Sequence, residues 1–192
     1  MRMINRKNIF IILLCFIIVF ITLEINKIMI FSHIPSESMQ PTINSNALVI
    51  GIKSAYVKKK PQRGDIVFFK YPFDKSTYYI KRIIGLSGER IEIKGGKIFI
   101  DNNTVPLKED YLVYEWKKDN DGFIFEVPDN CYLVLGDNRN NSIDSRYWSD
   151  ISIDLQVVNS KKDAEKFSYI SIDDIVAKAL YQVIPSIKNL NN

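Results

Sequence analysis

A serine whose surroundings suit it to act as a nucleophile stands at position 38. Ser38 lies in residues 34–42 between Pro35 and Pro41, whose rings restrict the backbone and suit the segment to presenting a hydroxyl. A serine hydroxyl is a weak nucleophile until a neighbouring base takes its proton. The first question is therefore which side chain acts as that base.

The chain has one histidine, His33, five residues before Ser38 and next to a strongly apolar N-terminal run. We interpret His33 as a residue of the membrane interface. A Ser-His-Asp triad built on it stays open as an alternative.

Lys81 is the other candidate base, in the apolar run 79–85. In an alternating strand, Tyr79, Lys81 and Ile83 share one face, whereas Arg82 points to the other. Burial among apolar neighbours lowers a lysine pKa by several units, so that the amine can accept a proton near neutral pH. The alternative interpretation is an exposed Lys-Arg pair on an edge strand.

Two motifs carry a family resemblance. Ser-Met-x-Pro-Thr begins at Ser38, and Gly-Asp-Asn-Arg-x-x-Ser-x-Asp-Ser-Arg fills residues 136–146. Together with residues 63–67 and 79–85, they resemble in order and spacing the sequence boxes of bacterial type I signal peptidases (leader peptidases). The resemblance extends loosely to residue 185.

The resemblance implies an activity and its central residues. Ser38 matches the nucleophile, Lys81 the general base, and Ser36 the residue whose hydroxyl joins the Ser38 N–H in the oxyanion hole. The implied protein is a membrane-bound serine endopeptidase with a Ser-Lys dyad and no cofactor. Its implied substrates are secretory preproteins with small residues at the first and third positions before the cleaved bond.

The polar loop that follows is implied to support the dyad. Ser142 matches the residue that hydrogen-bonds and orients the lysine, and Asp144 and Arg146 match a buried ion pair. Glu37 stands between the two serines of the site, so we expect its carboxylate to point to solvent, away from the developing oxyanion.

The rest of the chain favours a mainly β fold: a signal-peptidase-like antiparallel β-sheet catalytic domain after a single N-terminal transmembrane helix. Around Gly95-Gly96, alternating apolar and polar residues predict a hairpin, in a sub-region of about 90–130. Residues 172–181 have no clear assignment, and about 150–166 resemble an insertion. Further strands are predicted over 47–52, 65–69, 78–84 and 131–135.

An apolar run predicts the membrane segment. Residues 9–23 would rise only about 22 Å as a helix, short of the roughly 30 Å hydrocarbon core, but apolar residues 28–31 supply the missing length. We therefore predict an uncleaved anchor over 9–31, with a removable signal peptide as the alternative. Arg2, Arg6 and Lys7 place residues 1–8 in the cytoplasm and 32–192 outside.

Composition excludes several other classes. The formal charge of +4 is mild, and no long basic stripe with interleaved aromatics points to nucleic acid. Cys15 and Cys131 form no disulfide framework, and with one histidine they leave no zinc-like cluster. The expected partners are preproteins and the lipid bilayer.

Two other functions use some of the same features. A self-cleaving Ser-Lys repressor would need an N-terminal DNA-binding domain where this chain has an apolar run. An inactive, membrane-tethered β-domain that binds exported chains is the alternative from another class.

Overall fold

The computed structural model describes residues 6–113, 115–117 and 121–191. It contains one long helix at the N-terminus, followed by eleven strands in two antiparallel sheets and two short helices. The predicted mainly β, antiparallel fold with one N-terminal apolar helix is confirmed.

The long helix, α1 (Arg6–Ile28), is followed directly by strand β1 (Met29–Ile34). Its apolar side chains are exposed rather than packed against the rest of the chain, and its span Phe10–Ile28 is long and apolar enough to cross a membrane. The helix ends at Ile28, three residues before the predicted end of the anchor, because residues 29–31 belong to β1 and pair with β2 (Ala47–Ile52). Residues 1–5 of the predicted cytoplasmic segment lie outside the described residues.

The larger sheet holds eight strands in the order β1-β2-β10-β3-β4-β8-β9, with β11 paired to β10. Strand β10, the third in this order, begins in the region that the sequence left unassigned. Register shifts interrupt the pairing of β10 with β2 and with β3, which breaks the simple alternation on which strand prediction depends. Its remaining strands are β3 (Ile66–Lys70), β4 (Tyr78–Gly85), β8 (Cys131–Leu135), β9 (Ile170–Ser171), β10 (Ile175–Ile184) and β11 (Lys188–Asn189).

The smaller sheet has three strands, in the order β6-β5-β7, and falls in the predicted sub-region. The predicted hairpin is confirmed: β5 (Arg90–Lys94) pairs with β6 (Lys97–Ile100) across Gly95 and Gly96. Both glycines have positive φ, +59° and +67°, as a two-residue hairpin turn of this kind requires. The third strand, β7 (Ile124–Glu126), pairs with β5.

Two short helices, α2 (Trp148–Asp154) and α3 (Lys161–Ala164), lie in and around the stretch proposed as an insertion. A 3-10 turn, Glu165–Ser168, follows α3. Ser160 caps α3 by accepting a hydrogen bond from the Asp163 N–H. The polar residues 161–166 are therefore helical.

Strand β4 lies where three apolar clusters meet. Ile80 belongs to the cluster on one face of the large sheet, Ile83 to the cluster on the other, and Ile84 to the cluster against the small sheet. Phe68 and Phe69 of β3 divide between the two faces in the same way. Lys81, in the middle of β4, is therefore surrounded by buried apolar side chains.

We expect Phe68→Ala to lower the free energy of unfolding by about 3–5 kcal/mol, because it leaves a cavity at a side chain that is 1% exposed. Denaturant unfolding of the detergent-solubilised chain measures the change. The control, Val57→Ala, removes a side chain that is 76% exposed and should change stability by about 0.5 kcal/mol or less. Equal effects of the two substitutions would contradict the core assignment.

Candidate active site

Lys81 and Ser38, 43 residues apart in sequence, meet in the structure. Lys81 Nζ donates a hydrogen bond of 2.7 Å to Ser38 Oγ and a second, of 3.0 Å, to the carbonyl oxygen of Ile80. The lysine is 4% exposed and the serine 7%. The pair therefore has the geometry of a base and its nucleophile.

Ser38 is held in place by the apolar residue that follows it. Met39 is fully buried in the core, and its carbonyl oxygen accepts the Ile43 N–H at 2.9 Å, which closes a helical turn. The carbonyl oxygen of Ser38 accepts the Asn138 N–H at 3.0 Å. The backbone on both sides of the nucleophile is thus fixed independently of its hydroxyl.

Ser36 lies beside Ser38, as the resemblance implied. Its Oγ is 3.3 Å from Ser38 Oγ, and its side chain is exposed to the cavity. Among the residues described, nothing accepts a hydrogen bond from the Ser38 N–H. The N–H is available to a carbonyl oxygen bound at Ser38, and the Ser36 hydroxyl, which contacts Ser38 Oγ, lies beside the same position.

Burial lowers the pKa of Lys81 to about 8, and the nearby charges of Asp144 and Asp137 oppose the shift only in part. Both carboxylates are already bound by guanidinium groups. Arg146 donates to Asp144 at 2.8 and 2.9 Å, and Arg82 donates to Asp137 at 2.9 and 2.7 Å. Neither carboxylate is therefore free to form an ion pair with the lysine.

The predicted buried ion pair between Asp144 and Arg146 is present, with neither side chain exposed. Burial alone would raise the pKa of Asp144, but the guanidinium of Arg146 and the Gly136 N–H, which donates at 2.9 Å, hold that pKa below its usual range. A Cβ at Gly136 would lie 2.5 Å from the Ser38 carbonyl oxygen. Glycine at this position lets the loop lie against the nucleophile.

The hydrogen bond predicted between Ser142 and Lys81 is not formed. Ser142 is buried near the dyad and lines the same cavity, but its Oγ meets no partner at hydrogen-bond geometry within the described chain. The nearby hydroxyl still helps to keep the pKa of Asp144 low. Packing against Gly136, rather than a bond to the lysine, is the contact that the structure gives this serine.

A cavity of about 970 Å³ opens onto the dyad, between β1, the start of β4 and the loop of residues 139–143. His33, on β1, also lines this cavity and is exposed. Its imidazole forms no hydrogen bond with Ser38 Oγ, whose partners are Lys81 and Ser36, so the alternative Ser-His pair is not formed. Glu37 also lines the cavity, with an exposed side chain, as expected. Within the described ranges, no group of three His, Cys, Asp or Glu side chains is placed to hold a metal ion.

Sequence reasoning missed a third buried ion pair. Glu109 accepts two hydrogen bonds from Arg139, at 2.6 and 3.2 Å, and the two side chains are 6% and 1% exposed. The Trp116 ring lies against the same guanidinium, with its centre 4.8 Å from Arg139 Cζ. Arg146 Cζ lies 5.5 Å from the centre of that ring. We call residues 109–113 and 115–117 the strap, because they hold the loop that carries Asp144.

One signal in the sequence points to the strap: Tyr111 and Trp116 are large aromatic residues in a stretch, 109–117, that mixes apolar and charged residues. Neither their spacing nor the position of Glu109 indicates which arginine they contact, since the two ion-pair partners are 30 residues apart.

We expect Glu109→Gln to cost about 3 kcal/mol of unfolding free energy, because it leaves the buried Arg139 guanidinium without its counter-charge. Chemical denaturation measures the loss. Asp110→Asn is the matched control: Asp110 pairs with Lys108 at the surface, with side chains 71% and 84% exposed, so its effect should stay within about 1 kcal/mol. Similar losses for both variants would show that the Glu109–Arg139 ion pair stabilises the protein no more than the surface pair does.

Known proteins resemble this chain over most of its length. The family described as signal peptidase, peptidase S26, matches residues 5–183. A signal peptidase I from Leptolyngbya laminosa is 41% identical over 128 residues, which cover 60% of this chain and 59% of that protein. A signal peptidase I from Pseudomonas fluorescens is 31% identical over 186 residues, which cover 77% of this chain and 66% of that protein.

This chain therefore spans less than two thirds of the length of either relative. A solved signal peptidase I from Enterococcus faecalis V583 is 30% identical, with a TM-score of 0.47 over 62% of this chain and 97% of the other. Because the family match covers nearly the whole chain, this protein belongs to the signal peptidase family, peptidase S26.

Proposed function

We propose that this protein is a membrane-anchored serine endopeptidase that removes signal peptides from secretory preproteins. The observation that carries the proposal is the buried 2.7 Å hydrogen bond between Lys81 Nζ and Ser38 Oγ. Membership of the signal peptidase family supports the same reaction class.

In the first half of the reaction, neutral Lys81 accepts the proton of Ser38 Oγ while that oxygen attacks the scissile carbonyl carbon. A base with a pKa of about 8 is deprotonated often enough near neutral pH to do this, and it still holds a proton well enough to deliver it later. The protonated amine then gives that proton to the leaving amine, and the acyl chain stays on Ser38.

Negative charge that develops on the carbonyl oxygen is stabilised by the Ser38 N–H and the Ser36 hydroxyl. The Ser38 N–H has no acceptor among the described residues, whereas the Ser36 hydroxyl lies 3.3 Å from Ser38 Oγ and turns from that oxygen to the oxyanion. One donor of this type contributes roughly 3 kcal/mol to transition-state stabilisation.

In the second half, Lys81 removes a proton from the water that attacks the ester carbon, and it returns that proton to Ser38 Oγ as the acyl–oxygen bond breaks. The cavity walls next to the dyad include Ile34, Tyr79 and Ile80, an apolar lining suited to short uncharged side chains. This lining supports preproteins with small residues at the first and third positions before the cleaved bond as substrates.

The lipid bilayer is the second proposed partner. The exposed apolar span Phe10–Ile28 would rise about 28 Å, close to the thickness of a hydrocarbon core. Arg2, Arg6 and Lys7 precede it, which favours a cytoplasmic N-terminus and a catalytic domain on the outer side. That side is where exported preproteins emerge.

Ser38→Ala and Lys81→Ala should each reduce cleavage of a preprotein by at least about 1,000-fold, because either change removes the nucleophile–base pair. The assay uses the purified, detergent-solubilised chain and measures the initial rate of mature-product formation by gel electrophoresis. Exposed residues outside the cavity give matched controls, Ser54→Ala and Lys94→Ala, and both should cleave at the wild-type rate.

Full activity in either dyad variant would overturn the mechanism. Binding of preproteins with no cleavage by the wild type would favour the inactive tethered domain instead.

The pH profile of kcat/KM should rise about tenfold per unit below pH 8 and level off above it, because only the neutral form of Lys81 accepts a proton. Burial lowers this pKa, so the midpoint lies well below that of an exposed lysine. His33→Asn should leave the midpoint in place. A midpoint near 6.5 that disappears in His33→Asn would assign the base to histidine.

A further inference from the structure

Glu37, the residue before the nucleophile, is held in a defined position at the cavity. Its carbonyl oxygen accepts hydrogen bonds from the Gln40 N–H at 3.0 Å and from Asn138 Nδ2 at 3.2 Å. Its carboxylate accepts one from Asn141 Nδ2, also at 3.2 Å. Backbone and side chain are therefore both tied to neighbouring loops, and the carboxylate stays at the cavity rim.

The charges that line the cavity leave this carboxylate unneutralised. Arg139 is bound by Glu109, and Lys81 is bound to Ser38. His33 is the third basic side chain of the lining, and Tyr78, Tyr79 and Tyr147 are its other titratable groups. In the part of the chain that the structure describes, Glu37 has no ion-pair partner among lysine, arginine and histidine.

We propose that Glu37 is a specificity-determining residue that favours preproteins with lysine or arginine soon after the cleaved bond and disfavours aspartate or glutamate there. The inference rests on the proposed function. The first and third residues before the bond are expected to be small, so we place the charged substrate side chain that meets Glu37 after the bond. An exposed carboxylate retains its water, so its attraction to a cationic substrate side chain is weak. That attraction still raises kcat/KM for substrates that carry such a side chain.

The size of the effect follows from the exposure of the group. Attraction of a lysine and repulsion of a glutamate act in opposite directions, each by about threefold at a partly solvated site. The ratio of kcat/KM between a lysine and a glutamate substrate is therefore expected to be about tenfold.

The test uses one preprotein carrying alanine, lysine or glutamate at the first, second or third position after the cleaved bond. The full, detergent-solubilised chain should cleave the lysine form about ten times faster than the glutamate form at one position at least, with alanine between them. Glu37→Gln should reduce that ratio to less than about twofold, and Glu37→Lys should invert it. Adding salt to 1 M should shrink the wild-type ratio, because the Debye length falls to about 3 Å.

Glu126→Gln is the matched control. Glu126 is an exposed residue of β7, in the small sheet and outside the cavity, and its loss changes the net charge equally. The lysine-to-glutamate ratio should be unchanged in this variant. The thermal midpoint of Glu37→Gln should equal that of the wild type, because glutamine keeps the acceptor for Asn141.

Two results would count against the inference, and they differ in what they reject. A wild type that cleaves all three forms equally, or a Glu37→Gln variant that keeps the wild-type ratio, overturns the role of Glu37 and leaves the endopeptidase in place. A wild type that cleaves not even the alanine form overturns the proposed function, and the inference with it.

Discussion

The burial of the Lys81 amine against Ser38 is the interaction on which the rest of the site depends. Burial lowers the pKa of a lysine because it removes water from the charged form, and a free carboxylate beside the amine would raise that pKa again. Asp137 and Asp144 lie close enough to oppose the shift, yet Arg82 and Arg146 already bind them. Because these carboxylates are paired with arginines, they lie near Lys81 without raising its pKa back to that of an exposed lysine.

Three elements meet to produce this arrangement. Strand β4 brings Lys81 to the junction of the apolar clusters, the turn after Met39 fixes Ser38, and residues 136–146 bring Asp144. The strap then secures that loop through Glu109. Because each element is anchored in core or in a buried ion pair, the dyad needs no substrate to assemble.

The connection between anchor and nucleophile is also structured. Helix α1 continues without a loop into β1, an edge strand of the large sheet, and Ser38 follows four residues after its end. Along that strand, Ser32, His33 and Ile34 line the cavity. Glu37 can stand beside the nucleophile because its side chain points out to Asn141, where water and a neutral amide surround the charge.

Much of the fold and the site could be predicted from the sequence because those parts leave local signals. Compact β-branched and aromatic runs marked β2 and β8, and alternation marked the β5–β6 hairpin. The spacing of motifs singled out Ser38, Lys81, Asp144 and Arg146. Only tertiary structure decided whether residues 29–31 extend the helix or join β2, since an apolar run suits both. Buried contacts between distant residues, such as Glu109 with Arg139 or the packing of Ser142 on Gly136, leave no periodic trace, because they depend on which loops the folded sheet brings together.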